Sequence, residues 1–396
     1  MFRKLMQIIH LLPIYWAISG LFIINNGDKI LVTLIIISLV VKLICCLFDS
    51  DEGIDFKYNH MMGIIFICAI YASLKYYHNG YSSSEIRVII STVLYSAISM
   101  PKKIRYKSLI FIITLSSIYI TYQTINIIEV KNLSRIKLPL NAIPYSNYTG
   151  LLSIIALYLS YISKARLLSL LSVLSFILLT INVILVDTRG TWLALIAVYI
   201  TIIFLIFIKK RNWKITLMSL ALFVTVAIIN YPLIEGRIDK SAKEIAYLTK
   251  GNLDSSWGIR IQLWLVGYDI IKNDKSWLGL GQTKHLEIIQ KMYKEGKVKK
   301  SLARFDNKNF HNSVVDRTVK YGFIGLILYI SVLIIPFFYG IKNFNSNYSP
   351  LLLIMPIFIF VAGLSYVPIS HPGTYFLYLL TTMFLIKKIK NNRGQQ

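Results

Sequence analysis

Three side chains, two arginines and one histidine, have types and settings that could do chemistry. Arg189 lies between two long apolar runs, where a charged group is costly unless it has a function. Arg260 opens an amphipathic stretch, so an anion there would meet both a guanidinium and the unpaired N–H groups of a helix start. His311 has a side chain whose ordinary pKa of about 6.5 suits proton abstraction near neutral pH. Together these groups predict binding of an anion and abstraction of a proton.

Each of these residues also has a plain structural interpretation. Arg189 could anchor a helix end or pair with Asp187, Arg260 could be a solvated loop residue, and His311 could be a polar residue at an interface. Two features favour function for Arg189. The planar guanidinium matches the oxygens of a phosphate, and Gly190 lets a head group approach the backbone closely.

The elements that must position these residues are predicted by composition. The chain has 396 residues, of which 56% are hydrophobic and 15% charged, whereas soluble domains average about 45–50% and about 25%. Residues 167–186 and 191–208 contain no charged side chain at all, and an apolar run of about 18 or more predicts a membrane-spanning helix. This composition excludes a soluble enzyme, a disordered chain and a disulfide-rich secreted domain. It also argues against an outer-membrane barrel, whose strands alternate polar and apolar residues.

The apolar runs predict an all-α polytopic integral membrane protein with about twelve transmembrane helices and one large helical periplasmic loop. They fall at residues 8–25, 30–48, 61–77, 85–100, 108–128, 149–163, 167–187, 191–208, 215–232, 322–340, 350–368 and 373–386. The first run has no small-residue cleavage site after it and is therefore predicted to be an uncleaved span.

The positions of lysine and arginine predict the orientation in the membrane. The chain has a formal charge of +25, and its strongest basic clusters lie in short connectors at residues 101–107, 164–166 and 209–214 and in the tail after 386. Because basic residues concentrate on the cytoplasmic side, both termini are predicted to be cytoplasmic. The same argument explains the charge without nucleic acid as a partner.

Three regions follow from this orientation. Residues 1–232 carry helices 1–9, residues 233–320 form a hydrated segment on the periplasmic face, and residues 321–396 carry helices 10–12 and the tail. The middle segment holds 10 of the 18 acidic and 17 of the 43 basic residues, and residues 257–272 and 283–302 have helical periodicity. A long connection of this kind is where function usually lies.

Other groups give weaker signals for chemistry. The six histidines and three cysteines show no metal-ligand spacing. Asp49 and Asp51 form an Asp-x-Asp that could hold a metal bound to a sugar diphosphate, but they lie in a predicted cytoplasmic loop, where acidic residues are usually just solvated. The two halves of the chain show no internal repeat, which weakens a transporter interpretation.

Two segments resemble motifs of bacterial O-antigen ligases, in the superfamily that also contains O-antigen polymerases. Residues 188–193, Thr-Arg-Gly-Thr-Trp-Leu, are similar to its Ser/Thr-Arg-Gly-x-Trp-Leu motif. Arg260 and residues 277–281, Trp-Leu-Gly-Leu-Gly, are similar to the arginine and Gly-x-Gly segment of its large loop. The usual His-Pro before that segment is replaced by residues 274–276, Asp-Lys-Ser.

A third segment resembles the pattern that distinguishes the ligases. His311 and Asn312, nine residues, and then Gly322 and Gly325 match His-[Asn/Ser/Gln]-x9-Gly-x-x-[Gly/Thr/Val]. The three motifs occur in order within residues 180–340, which makes the resemblance far more specific than any one of them.

The resemblance implies an enzyme of the bacterial inner (plasma) membrane. It would move a glycan from undecaprenyl diphosphate to a sugar hydroxyl of lipid A–core at the periplasmic face, without a metal or other cofactor. Arg189 and Arg260 would hold the diphosphate and His311 would be the base. The implied supporting residues are Asn312, Gly190, Gly322 and Gly325. The expected partners are the carrier-linked O-antigen, the lipid A–core acceptor and membrane lipids, with no nucleic acid.

Three alternatives remain open. An O-antigen polymerase would use the same donor with a second carrier-linked glycan as the acceptor. A lipid-linked oligosaccharide flippase would need ionisable residues along its helices, and the central apolar runs have almost none. A structural membrane scaffold would not explain three ordered motifs.

Overall fold

Every regular element in the described part of the chain is helical. The structure is a computed structural model that describes residues 2–24, 26–48, 59–101, 104–131, 138–139, 141–210, 231–273, 277–305 and 309–393. The predicted all-α class is confirmed within these ranges. Outside these ranges lie residues 215–230 of the predicted run at 215–232, the Asp49 and Asp51 pair and residues 274–276.

The α-helices are numbered in chain order. They are α1 Phe2–Ala17, α2 Gly20–Ile23, α3 Gly27–Phe48, α4 His60–His78, α5 Ser83–Leu94, α6 Tyr106–Ile125, α7 Ala142–Ile162, α8 Arg166–Val186, α9 Arg189–Lys210, α10 Tyr231–Thr249, α11 Ser256–Asn273, α12 Lys284–Lys294, α13 Lys300–Arg304, α14 Ser313–Lys342, α15 Ser349–Gly363 and α16 Pro372–Arg393. Short π-helical turns follow α5 and α6, and a 3₁₀ turn, Pro368–Ser370, precedes α16.

Six of these helices are long and apolar enough to cross a membrane. They are Gly27–Leu47, His60–His78, Tyr106–Ile128, Arg166–Val186, Arg189–Lys209 and Ser313–Lys342. Two shorter apolar helices, Leu5–Ala17 and Ser349–Gly363, accompany them in the described residues. The chain is therefore a multi-helix membrane protein, and the number of twelve spans stays a prediction.

Several predicted boundaries shift in the structure. The predicted run at 8–25 is two helices, α1 and α2, and the run at 149–163 begins earlier, at Ala142. The periodic stretch at 257–272 is confirmed as α11. The stretch at 283–302 is not one helix, because Gly296 has a φ of 72° and ends α12. The N–H of Lys297 donates to the carbonyl of Met292 at 2.8 Å, which is the 6→1 hydrogen bond of a Schellman motif at the end of a helix.

The chain divides into two compact units. The first comprises Met1–Leu195, Ile330–Ala362 and Pro368–Gln396, and the second comprises Ile196–Tyr329 and Gly363–Val367. In the first unit, α7 is buried on nearly all sides, and its buried side chains include the polar residues Ser146 and Asn147. The three predicted regions 1–232, 233–320 and 321–396 stay predictions.

The second unit has its own apolar core, formed by α11 to α14 and the turn before α14. Its fully buried members are Leu263, Val266, Ile270, Ile289, Leu302, Phe310 and Val319. Gly267 lets α11 approach this turn, because a Cβ there would lie 2.5 Å from Cγ1 of Val315 and 3.3 Å from Phe310. The core therefore fixes the residue immediately before His311.

Candidate functional site

The turn that carries His311 is anchored on the residue before it. The Phe310 side chain is fully buried in the core of the second unit. Its carbonyl accepts a hydrogen bond from Nε1 of Trp264 at 3.1 Å, and its N–H donates to Oδ1 of Asp316 at 3.1 Å. Both polar groups of the Phe310 backbone are therefore held by side chains of α11 and α14.

His311 has a backbone conformation that few side chains adopt. Its φ is 50°, in the left-handed region, and its N–H donates to Oδ1 of Asn309 at 3.0 Å. The imidazole is flanked by the rings of Phe305 and Tyr366, with centroids at 5.8 and 5.6 Å. Its buried Nδ1 has no hydrogen-bond partner among the described residues. Strained backbones of this kind cluster at functional sites.

The surroundings of His311 keep its imidazole neutral. Burial and the positive charges of Arg260 and Lys320 lower the pKa of His311 from 6.5 to about 4, against the smaller opposing effects of Asp316 and a hydrogen bond to the Ser365 backbone. At neutral pH the ring is therefore unprotonated and able to accept a proton. The same shift makes the folded protein less stable as the pH falls from about 6.5 towards 4, because only the unfolded chain gains the proton in that window.

Arg260 is brought to this turn by α11. The helix begins after Ser255, whose Oγ accepts a hydrogen bond from the N–H of Gly258 at 3.1 Å. Arg260 and Trp264 are one turn apart on the same face, and Trp264 binds the carbonyl of Phe310. The Arg260 guanidinium lies 6.0 Å from the ring of Trp257 and is half-buried. The structure thus places a guanidinium close enough to His311 to affect its protonation.

Arg189 is the first residue of α9, not an interior residue of a long helix. Asp187, with a φ of 61°, ends α8, and the backbone turns at Thr188 before α9 begins. Two side chains of this turn bind side chains of α7. The Thr188 hydroxyl binds the Ser146 hydroxyl, and Oγ1 of Thr191 donates to Oδ1 of Asn147 at 2.7 Å. Arg189 is half-buried and belongs to the first unit, whereas Arg260 and His311 belong to the second. The convergence of all three stays a prediction.

Gly322, which the sequence analysis singled out, interrupts α14 beside another segment. Gly322 has a φ of 67° and breaks the helix. The freed carbonyls of Val319 and Lys320 accept hydrogen bonds from the N–H groups of Leu280 and Gly281, at 2.9 and 2.8 Å.

The approach of these two backbones leaves no room for a side chain. A Cβ on Gly322 would lie 2.0 Å from the carbonyl oxygen of Trp277, and a Cβ on Gly279 would lie 2.3 Å from the nitrogen of Gly322. The Gly-x-Gly segment and Gly322 therefore form one structural joint, although they are 40 or so residues apart.

The other residues that were predicted to support the site, Asn312, Gly325 and Gly190, lie at the ends of helices or pack within them. Asn312 caps α14, since its Oδ1 accepts from the N–H groups of Val314 and Val315 at 2.9 and 3.2 Å. Gly325 packs against Tyr321, because a Cβ there would lie 2.3 Å from the Tyr321 Cβ. Gly190 is the second residue of α9 and is half-buried.

Sequence reasoning missed three residues around His311. Asp316 and Lys320 are buried charges one helical turn apart, and Tyr366 comes from the connection after α15. A signal for the first two exists in the sequence, because an acid four residues before a lysine at the start of an apolar run is typical of a helical ion pair. No local pattern marks Tyr366. In the described residues, no three His, Cys, Asp or Glu side chains cluster as a metal site needs.

Comparison with known families agrees with these motifs. Residues 173–330 match a family model described as O-Antigen ligase. The similarity to this family covers 158 of the 396 residues. The matched segment includes Arg189, Arg260, His311 and the joint at Gly322, so the predicted resemblance is confirmed over these residues.

A relative from Haemophilus influenzae (strain ATCC 51907 / DSM 11121 / KW20 / Rd) is 32% identical over 164 residues. It is described as an uncharacterized protein, and the match spans 40% of this chain and 40% of the relative. The similarity therefore supports a shared segment and adds no activity of its own.

Proposed function

We propose that this O-antigen ligase family protein is itself a ligase, which transfers a glycan from undecaprenyl diphosphate to a sugar hydroxyl of lipid A–core. The observation that carries the proposal is the neutral imidazole of His311 beside the Arg260 guanidinium, inside the segment that matches the family. A neutral base and a fixed cation are the two groups that the reaction needs. The proposed location is the inner membrane, with the site facing the periplasm and both termini in the cytoplasm.

In the proposed step, the acceptor oxygen attacks the anomeric carbon of the donor and its proton passes to His311. The bond from that carbon to the diphosphate oxygen breaks, and undecaprenyl diphosphate leaves with the bonding electrons. Attack from the side opposite the leaving group inverts the anomeric centre. General-base assistance of this kind contributes typically about 10²–10⁴-fold.

The leaving diphosphate needs charge stabilisation more than a proton. Arg260 would supply it next to His311, and Arg189 is proposed as the second cation; fixed donors aimed at developing charge act without a metal ion. An anion bound at Arg260 also offsets one of the charges that lower the pKa of His311. Donor binding would therefore make His311 a stronger base when the acceptor arrives.

The membrane-spanning helices fit substrates that are lipid-anchored. Six described helices are apolar enough to cross a bilayer, so a donor with an undecaprenyl chain could reach the site without leaving the lipid. Membrane lipids are accordingly proposed as partners, together with the carrier-linked O-antigen and lipid A–core.

A deletion strain tests the proposal and separates it from polymerase activity. If the protein is a ligase, its deletion leaves carrier-linked polymer and a bare lipid A–core. If it is a polymerase, its deletion leaves a core bearing one repeat. Complementation with the wild type should restore long O-antigen, and H311A at equal membrane level should not. A core with one repeat in the deletion strain would replace the ligase proposal by the polymerase.

A further inference from the structure

A buried ion pair lies one turn after His311. Nζ of Lys320 is 2.9 Å from Oδ1 of Asp316, and the two side chains are 3% and 2% exposed. Buried ion pairs often add little to stability, because removing two charges from water offsets their attraction. Its position next to His311 suggests a different role.

The same carboxylate oxygen holds the backbone beside His311. Oδ1 of Asp316 accepts the Phe310 N–H at 3.1 Å, and the Asp316 N–H donates to the carbonyl of Asn312 at 2.9 Å. These two bonds join α14 to the residues immediately before and after His311, whose φ is 50°. A left-handed conformation at a residue other than glycine persists only when its neighbours fix it.

We propose that Asp316 is the positioning residue for His311, and that Lys320 neutralises its charge in the buried site. Asp316 holds the Phe310–Asn312 turn so that the imidazole stays between Phe305 and Tyr366, near Arg260. Lys320 makes the carboxylate tolerable there, since a lone buried charge would be strongly unfavourable. This inference rests on the proposed function of His311 as the base.

The groups that face His311 come from three elements in the described residues. Arg260 lies on α11, Asp316 and Lys320 lie on α14, and Tyr366 with the Ser365 backbone lies in the connection after α15. Asp316 raises the pKa of His311 and Lys320 lowers it, so both charges must be removed together in any comparison. A difference in titration between two variants that both lack these charges therefore reports a moved ring.

Two double variants of the full-length protein test the inference. D316N/K320M removes both charges but keeps an amide oxygen that can accept the Phe310 N–H. D316L/K320M removes both charges and the acceptor, with apolar side chains of similar size. Glycan transfer to lipid A–core is measured over a range of donor concentrations, which gives kcat and KM. The imidazole is titrated by NMR of histidine-labelled protein in detergent, with H311Q to assign the signal.

The expected result separates the two variants. D316N/K320M keeps a transfer rate within about threefold of the wild type, whereas D316L/K320M loses about 10²-fold in kcat with KM for the donor unchanged. The imidazole of D316L/K320M titrates closer to the ordinary histidine range, because the ring leaves its buried position. Wild-type transfer and titration in D316L/K320M would overturn the inference, as would an equal loss in both variants.

The two readouts also separate this inference from the proposed function. If the wild type transfers no glycan to lipid A–core, the proposed function fails. The titration of His311 in the two variants would still decide whether Asp316 positions the ring. If D316L/K320M does not fold and D316N/K320M does, Asp316 supports the whole unit and the positioning inference is overturned.

Discussion

Two helix interruptions accompany the predicted functional residues, and they are stabilised in different ways. Between α8 and α9, the turn beside Arg189 is tied to α7 by side chains, through Thr188 with Ser146 and Thr191 with Asn147. In α14, the break at Gly322 is filled by the backbone of another segment, whose N–H groups bind the freed carbonyls. A side-chain tie can be weakened in steps, whereas a backbone joint accepts only glycine.

The largest effect is expected at the backbone joint. G322A places a Cβ 2.0 Å from the carbonyl oxygen of Trp277 and requires alanine at a φ of 67°. We expect a loss of about 3 kcal/mol or more in the free energy of unfolding, together with loss of glycan transfer. Thermal unfolding in detergent measures the first effect.

G236A is the matched control for this substitution. Gly236 lies in α10 with nothing within 4 Å of an added Cβ, so the variant should unfold like the wild type. Equal unfolding temperatures for G322A and G236A would show that the joint is not constrained as the backbone contacts indicate.

A smaller effect is expected at the side-chain tie. T191V removes the hydroxyl that donates to Asn147 at 2.7 Å while keeping the shape of the side chain. We expect a loss of about 1 kcal/mol in stability and a decrease in transfer of less than about tenfold, because the second tie through Thr188 remains. T201V on the same helix removes a hydroxyl that donates to the Ala197 carbonyl one turn earlier, and this variant should leave transfer unchanged. Equal transfer by T191V and T201V would show that the tie to Asn147 does not position Arg189 for the reaction.

The contrast between the backbone joint and the side-chain tie explains how much of the site the sequence could predict. The joint at Gly322 leaves a trace, because glycines at 279, 281, 322 and 325 are required by positive φ or close approach and appear as motifs. Arg189 and Gly190 can be recognised in the sequence because they interrupt two apolar runs with a charged residue and a glycine. Thr188 belongs to the Ser/Thr-Arg-Gly-x-Trp-Leu motif, but nothing in the sequence marks Ser146 and Asn147 as the partners of Thr188 and Thr191, since serine, threonine and asparagine are common in apolar helices.

The surroundings of His311 could be predicted only in part. The helical stripe at 257–272 predicted α11 and therefore a helix that carries Arg260. The ion pair of Asp316 and Lys320 has a readable spacing, but its burial depends on packing of α14 against the core of the second unit. Tyr366 reaches His311 from a distant part of the chain, which no local pattern can show.

The smallest expected effect lies within the site itself. Undecaprenyl diphosphate bound at Arg260 should offset that cation and raise the pKa of His311 above its value of about 4 in the free protein. NMR titration of histidine-labelled protein with and without the lipid measures the shift, and undecaprenol without phosphate is the matched ligand control. A shift that survives in R260Q would place the diphosphate elsewhere.

The most direct test of the central claim is glycan transfer by purified H311A in the presence of carrier-linked donor and lipid A–core acceptor. If His311 accepts the proton of the acceptor hydroxyl, kcat falls by about 10²–10⁴-fold while donor binding is kept, and the wild type stays active down to a pH well below 6.5. Transfer by H311A at the wild-type rate would contradict the account and leave Arg260 beside a histidine of purely structural importance.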